Sequence, residues 1–84
     1  MIQISFTNQF IKAYDKLTKV EQTLVDRKII LFKENIMHPS LRVKKIKGYK
    51  NRFEFSVNMD IRVIWKYDGD NIVVFLDVGH HDII

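Results

Sequence analysis

The rhythm of hydrophobic and polar positions changes along this chain, and each change marks an element. Ile2, Ile4 and Phe6 alternate with Gln3 and Ser5, which predicts a short half-buried strand. Thr7 or Asn8 then offers an N-cap side chain. Phe10, Tyr14 and Leu17 follow at helical spacing, with Lys12, Asp15 and Lys16 turned outward. Thr18, with Glu21 three residues on, forms the capping box of a second helix. Val25, Ile29, Phe32 and Ile36 run along one face of that helix, with Leu24 and Leu31 beside them. It should end near Asn35, because His38 precedes Pro39 and a residue before proline is steered out of the α region.

After Pro39 the period shortens to two. Leu41, Val43 and Ile46 alternate with basic residues in a strand that should end at Gly48. Phe53, Phe55 and Val57 face the core, which turns Arg52, Glu54 and Ser56 to the opposite face. Asn58-Met59-Asp60 reads as a turn. The next strand sets Ile61, Val63, Trp65 and Tyr67 against Arg62, Ile64 and Lys66, with Trp65 in the core register. Asp68-Gly69-Asp70-Asn71 is a hairpin signal, since Gly and Asn tolerate positive φ. Ile72 to Val78 is almost wholly apolar and should be a central strand covered on both faces. The predicted order is β-α-α-β-β-β-β. That is an α+β fold, with two N-terminal helices packed on one face of a small antiparallel sheet and the other face open.

At 84 residues the chain supports one domain, spanning residues 1–84, of modest stability. A hydrophobic content of 46% with only three Gly and one Pro excludes a disordered or collagen-like chain. The absence of cysteine excludes disulfides, a thiolate nucleophile and Cys-based zinc. The opening Met1-Ile2-Gln3-Ile4-Ser5 lacks the basic and apolar regions of a signal peptide, and no apolar run reaches membrane-spanning length. A cytoplasmic protein with no membrane partner is expected.

Charge adds one feature. Arg42, Lys44, Lys45, Lys47, Lys50 and Arg52 lie between His38 and Arg52 with no Asp or Glu among them. The rest of the chain carries eight basic and ten acidic residues, so this segment holds the whole excess behind the net charge of +4. Such a segment fits a polyanion partner, and equally an edge strand that uses lysine against aggregation. Arg62 from a neighbouring strand, with His80 and His81 near the end of the last one, would give the open face a basic surface rimmed by imidazoles. That set suits RNA phosphodiester cleavage: a base takes the 2′-hydroxyl proton, a cation stabilises charge on phosphorus, and an acid protonates the leaving 5′-oxygen. The plainer readings are a frayed tail for the histidines, an ion pair of Arg62 with Glu54 or Asp60, a structural His38 and a turn-shaping Asp60. No metal site or cofactor is expected, because His80 and His81 are adjacent and no third ligand is well spaced.

Three stretches resemble one family. His38-Pro39-Ser40-Leu41-Arg42-Val43-Lys44-Lys45-Ile46-Lys47-Gly48 resembles the "P-x-L-x-x-K-x-L-K-G" stretch of the RelE/ParE toxins. The segment from Arg52 to Trp65 is similar to their "W-E-x-R-V-x-x-D-Y-R-V-I-Y" hairpin, with Phe53 where the Trp stands and Ser56 where an Arg is typical. Asp77-Val78-Gly79-His80-His81-Asp82 matches the "D-V-G-H-H-D" ending of one branch. The three occur in family order along the whole chain. The resemblance implies the toxin of a bacterial type II toxin–antitoxin pair, in the RelE/YafQ-like branch. Such a toxin is a ribosome-dependent, metal-independent mRNA endonuclease that cleaves messages in the ribosomal A site. By the same resemblance Arg62 stabilises the phosphate, His80 or His81 supplies acid–base chemistry, and Asp60 matches an aspartate used by YafQ-like enzymes. Lys44, Lys45, Lys47, Lys50 and Arg52 would grip RNA. The implied partners are a cognate antitoxin, mRNA on the ribosome and, through the antitoxin, operator DNA. The alternatives are a ParE-like gyrase poison and an inactive module that binds its antitoxin.

Overall fold

A computed structural model describes residues 2–80. His81, with the three residues after it, lies outside them. Strand β1 (Gln3–Phe6) leads into helix α1 (Asn8–Asp15) and helix α2 (Lys19–Glu34). A single 3-10 turn at Pro39–Leu41 precedes β2 (Lys44–Lys45), and β3 (Phe53–Ser56), β4 (Ile61–Tyr67) and β5 (Ile72–His80) complete the sheet.

The helix starts follow the capping chemistry in the sequence. Thr7 Oγ1 accepts the Phe10 N–H at 3.1 Å and donates toward the carbonyls of Phe75 and Leu76, so the cap of α1 also fastens it to β5. At α2 the capping box is complete: Thr18 Oγ1 accepts from Glu21 N–H, and Glu21 Oε1 accepts from Thr18 N–H. A cap of this kind stabilises a helix by about 1 kcal/mol. The helix closes at Asn35, as the proline argument required.

Tyr14 Oη donates to Asp26 Oδ1 at 2.7 Å and ties α1 to α2. The hydrogen bond to that carboxylate pushes the Tyr14 phenol up to about 12, with burial adding to it. Because the folded pKa is raised, this contribution to stability is full below the ordinary tyrosine range near 10 and is lost as pH climbs through 12. In an ultraviolet phenolate titration, a late ionisation step near pH 12 is expected, and Tyr14→Phe should remove it.

The sheet order is β1-β5-β4-β3-β2, which corrects two expectations. The sheet is mixed, because β1 pairs with β5 in parallel while β2, β3 and β4 pair antiparallel. Tight turns force antiparallel pairing only on strands they join, and both helices intervene between β1 and β5. The middle strand is β4, and β5 is its neighbour. Of the apolar run in β5, Val73, Phe75 and Val78 are buried, while Val74 and Leu76 on the other side are half-exposed. Both helices contribute to the core on one side only, so apolar character along β5 does not mean cover on both faces. A bulge opposite Ile64 and Trp65 adds one residue to β5 there.

The strand expected from Leu41 to Gly48 is also shorter. Pro39 opens a 3-10 turn that buries Leu41, and Arg42 takes a left-handed φ of 50° at its end, so pairing begins only at Lys44. The core is aromatic. Phe32 of α2 lies 5.1 Å from Phe55, 5.0 Å from Trp65 and 5.4 Å from Phe75, ring centre to ring centre. Phe10 from α1 and Val25 from α2 close the layer.

Candidate functional site

Cross-strand partners share a face, so the register sorts the sheet's side chains into a helix side and an open side. Two rows cross the open side. One runs Lys44, Glu54, Ile64, Asp77, and the other Ser56, Arg62, Gly79. The sequence pattern therefore placed Glu54, Ser56, Arg62 and Ile64 correctly. This face is not flat, however: Glu54 is only 3% exposed and Ile64 is buried.

Glu54 is the buried carboxylate of this face. Lys44 Nζ stands 3.3 Å from its Oε1, while its Oε2 has no hydrogen-bond partner among the described residues. A carboxylate so enclosed needs a counter-ion, and Lys44, 73% exposed, supplies one without being buried itself. Arg62 is not its partner. The Arg62 guanidinium instead donates from Nη1 to the carbonyls of Asn58 at 2.7 Å and Ile61 at 3.2 Å, at the β3–β4 turn. That turn is shaped by Asn58, whose Oδ1 accepts the N–H groups of Asp60 and Ile61. The Asp60 side chain is exposed beside it.

The other expected site residues divide. Lys44 and Lys45 follow one another in β2 and so point to opposite faces. Lys45, Lys47 and Lys50 line a shallow depression with Ile46, Gly48 and Tyr49, and Arg52 lies 4.7 Å over the Tyr49 ring. His80 pairs with Ile61 in the register, on the helix side, and its Nε2 lies 3.4 Å from Glu21 Oε2 at the start of α2. Glu21 is held below the usual carboxylate range by the Thr18 N–H, helped by His80. Arg62 and His80 thus sit on adjacent strands but on opposite faces. His81 lies outside the described residues. His38 Nδ1 accepts the Ser40 N–H at 3.1 Å and caps the 3-10 turn, a structural role.

A groove of about 290 Å³ at the hairpin end of the sheet was not foreseen. Lys28 of α2, Ser40 and Arg42 of the 3-10 turn region, Ser56 of β3 and Arg62 of β4 line it, with Val57, Asn58 and Met59 of the turn. Three cations meet there with no carboxylate in the lining. Lys28 lies in the middle of an amphipathic helix, where a lysine reads as an ordinary solvated residue, so no sequence signal linked it to Arg62. Among the described residues no cluster of three His, Asp or Glu side chains could hold a metal ion, and no helix is long and apolar enough to cross a membrane.

The architecture is the RelE-like α+β fold, two helices against a mostly antiparallel five-stranded sheet, as found in small toxins of toxin–antitoxin systems. Three solved structures illustrate the likeness. A toxin from Helicobacter pylori, in a copper-bound mutant form, superposes with a TM-score of 0.80 at 19% identity, covering 100% of this chain and 99% of that one. YafQ in the E. coli DinJ–YafQ complex gives 0.80 at 18% identity, covering 99% and 96%. The Methanococcus jannaschii RelB–RelE antitoxin–toxin complex gives 0.76 at 21% identity, covering 94% and 92%. No family model matches the sequence, and no curated protein matches it.

Proposed function

We propose that this protein is the toxin of a type II toxin–antitoxin pair and acts in the cytoplasm as a ribosome-dependent mRNA endonuclease. The observation that carries this reading is Arg62 on the open face, anchored at the β3–β4 turn beside Ser56 and free of any acidic partner among the described residues. A fold shared with RelE and YafQ toxins over nearly the full chain supports it. In the reaction the 2′-oxygen forms a bond to phosphorus as the bond to the 5′-oxygen breaks. A base removes the 2′-hydroxyl proton, an acid returns one to the 5′-oxygen, and Arg62 holds the phosphoryl oxygens as they gain charge. His80 is engaged with Glu21 on the helix side, which favours His81 for proton transfer. Asp60, exposed at the turn, is a secondary candidate. The ribosome would orient the message, replacing the positioning that so small a site lacks. Lys45, Lys47, Lys50 and Arg52 would meet RNA phosphates, with Lys44 shared between RNA and Glu54.

The antitoxin is proposed as the resting partner, acidic where it meets the basic segment and apolar where it meets exposed Phe6 and Ile11, with operator DNA bound through it. The test is translation of a defined message in vitro, with cut sites mapped with and without ribosomes. In-frame cuts that require ribosomes are the expected result, retained by His80→Gln and lost in His81→Gln. An intact message would end the endonuclease reading and send the protein to a gyrase-cleavage assay.

A further inference from the structure

We infer that the groove between Lys28, Arg42 and Arg62 holds a second phosphate subsite, formed by Lys28, Arg42 and the Ser40 hydroxyl, that takes the backbone phosphate next to the one at Arg62. The ligand class is single-stranded RNA. The inference deepens the endonuclease reading and rests on it only for the identity of the polymer.

The groove draws its cations from α2, the 3-10 turn and β4, and no acidic side chain lines it. None of the three forms an ion pair among the described residues. Like charges brought together by folding repel one another unless an anion joins them, and arginine with lysine around serine hydroxyls suits a phosphate. The backbone adds an independent observation. Positive φ falls on glycine at residues 48 and 69 and on asparagine at residue 71, whereas residue 42 is an arginine at φ 50°. The left-handed region disfavours a long side chain more than it does glycine or asparagine, so the arginine at 42 holds a costly backbone position, and a phosphate contact would offset that cost.

Size and lining indicate the polymer. At about 290 Å³ the groove is larger than one phosphate requires. Met59 forms part of the wall and is 86% exposed, an apolar surface on which a ribose or base can rest. A flexible single strand can turn from the open face at Arg62 around the sheet end to Lys28. A duplex, wide and stiff, cannot follow that bend. The RNA path thus runs from the open face at Arg62 toward α2.

The test is a titration of the ¹⁵N-labelled protein, without ribosomes, with inorganic phosphate, uridine, uridine 3′-monophosphate and a short oligouridylate. Phosphate, the nucleotide and the oligomer should shift amides at Ser40, Arg42 and 58–62, and uridine should not. Lys28→Gln with Arg42→Gly, the latter suited to the left-handed backbone, should weaken oligouridylate binding about tenfold and flatten its log–log salt dependence by roughly 1.4, at ~0.7 per cation on a single strand. Lys12→Gln with Lys33→Gln, exposed helix lysines outside the groove, should leave the groove shifts in place. Shifts confined to 45–50, no shifts, or unchanged affinity in the Lys28/Arg42 variant would overturn the subsite. Inorganic phosphate entering while the oligomer does not would overturn its assignment to RNA. Binding is read without cleavage, so a protein that fills the groove but never cuts a message would fail as an endonuclease and keep the subsite.

Discussion

Phe32→Ala is expected to unfold most of the protein, or to lower its melting temperature by tens of degrees. Phe32 is completely buried and is the one α2 side chain whose ring meets rings of β3, β4 and β5 together. Removing a buried phenylalanine ring costs about 3–5 kcal/mol, through lost transfer energy and the cavity left behind. At roughly 0.05–0.15 kcal/mol per residue, a domain this small has about 4–13 kcal/mol in all. The substitution therefore removes about a quarter of the stability at the least, and at the lower end nearly all of it. Circular dichroism melts would measure the loss. Val20→Ala on the same helix is the control, because Val20 is 72% exposed and its truncation should change stability by no more than ~0.5 kcal/mol. A Phe32→Ala melt within a few degrees of the parent would mean that α2 does not pack as described.

Arg62→Ala is expected to reduce message cleavage by about 10²–10³-fold while leaving the melt nearly unchanged. The magnitude is that of removing one donor aimed at developing charge. The fold should tolerate the change, because the Asn58 carbonyl lies at an exposed turn where water can replace the guanidinium, and the Ile61 carbonyl still accepts the Val57 N–H. Arg62→Lys should recover little activity, since an ammonium cannot donate to two phosphoryl oxygens in a fixed fork. Cleavage by Arg62→Ala at the parental rate would remove Arg62 from the site and leave the endonuclease proposal without its central cation.

Much of this protein can be read from local chemistry. The Thr18–Glu21 capping box, the helix end at Asn35 and the Asp68–Asn71 hairpin all depend on residues a few positions apart, so the sequence carries the whole cause of each. The alternation of Phe53 to Ser56 and Ile61 to Tyr67 likewise assigned faces, because a strand's side-chain period is two. Ser56 and Arg62 were placed together on the open side for that reason alone.

The errors lie where distant segments meet. Leu41, Val43 and Ile46 have strand spacing, but Pro39 and the burial of Leu41 against the core shorten β2 to two residues. The run from Ile72 to Val78 is apolar enough for a doubly covered strand, yet both helices pack on one side. His80 was expected near Arg62 on the open face. The bulge beside Leu76 gives β5 an odd residue, and the strand ends with His80 on the side of Ile61, against Glu21.

Local residue order thus determined the elements, their caps and which strand faces are apolar, because those follow from interactions within one turn or one hairpin. Tertiary structure decided the parallel pairing of β1 with β5, the pairing of Lys44 with Glu54 and the meeting of Lys28, Arg42 and Arg62. Each joins groups 10 to about 70 residues apart in sequence, and no local propensity encodes contacts created only when the chain closes on its core.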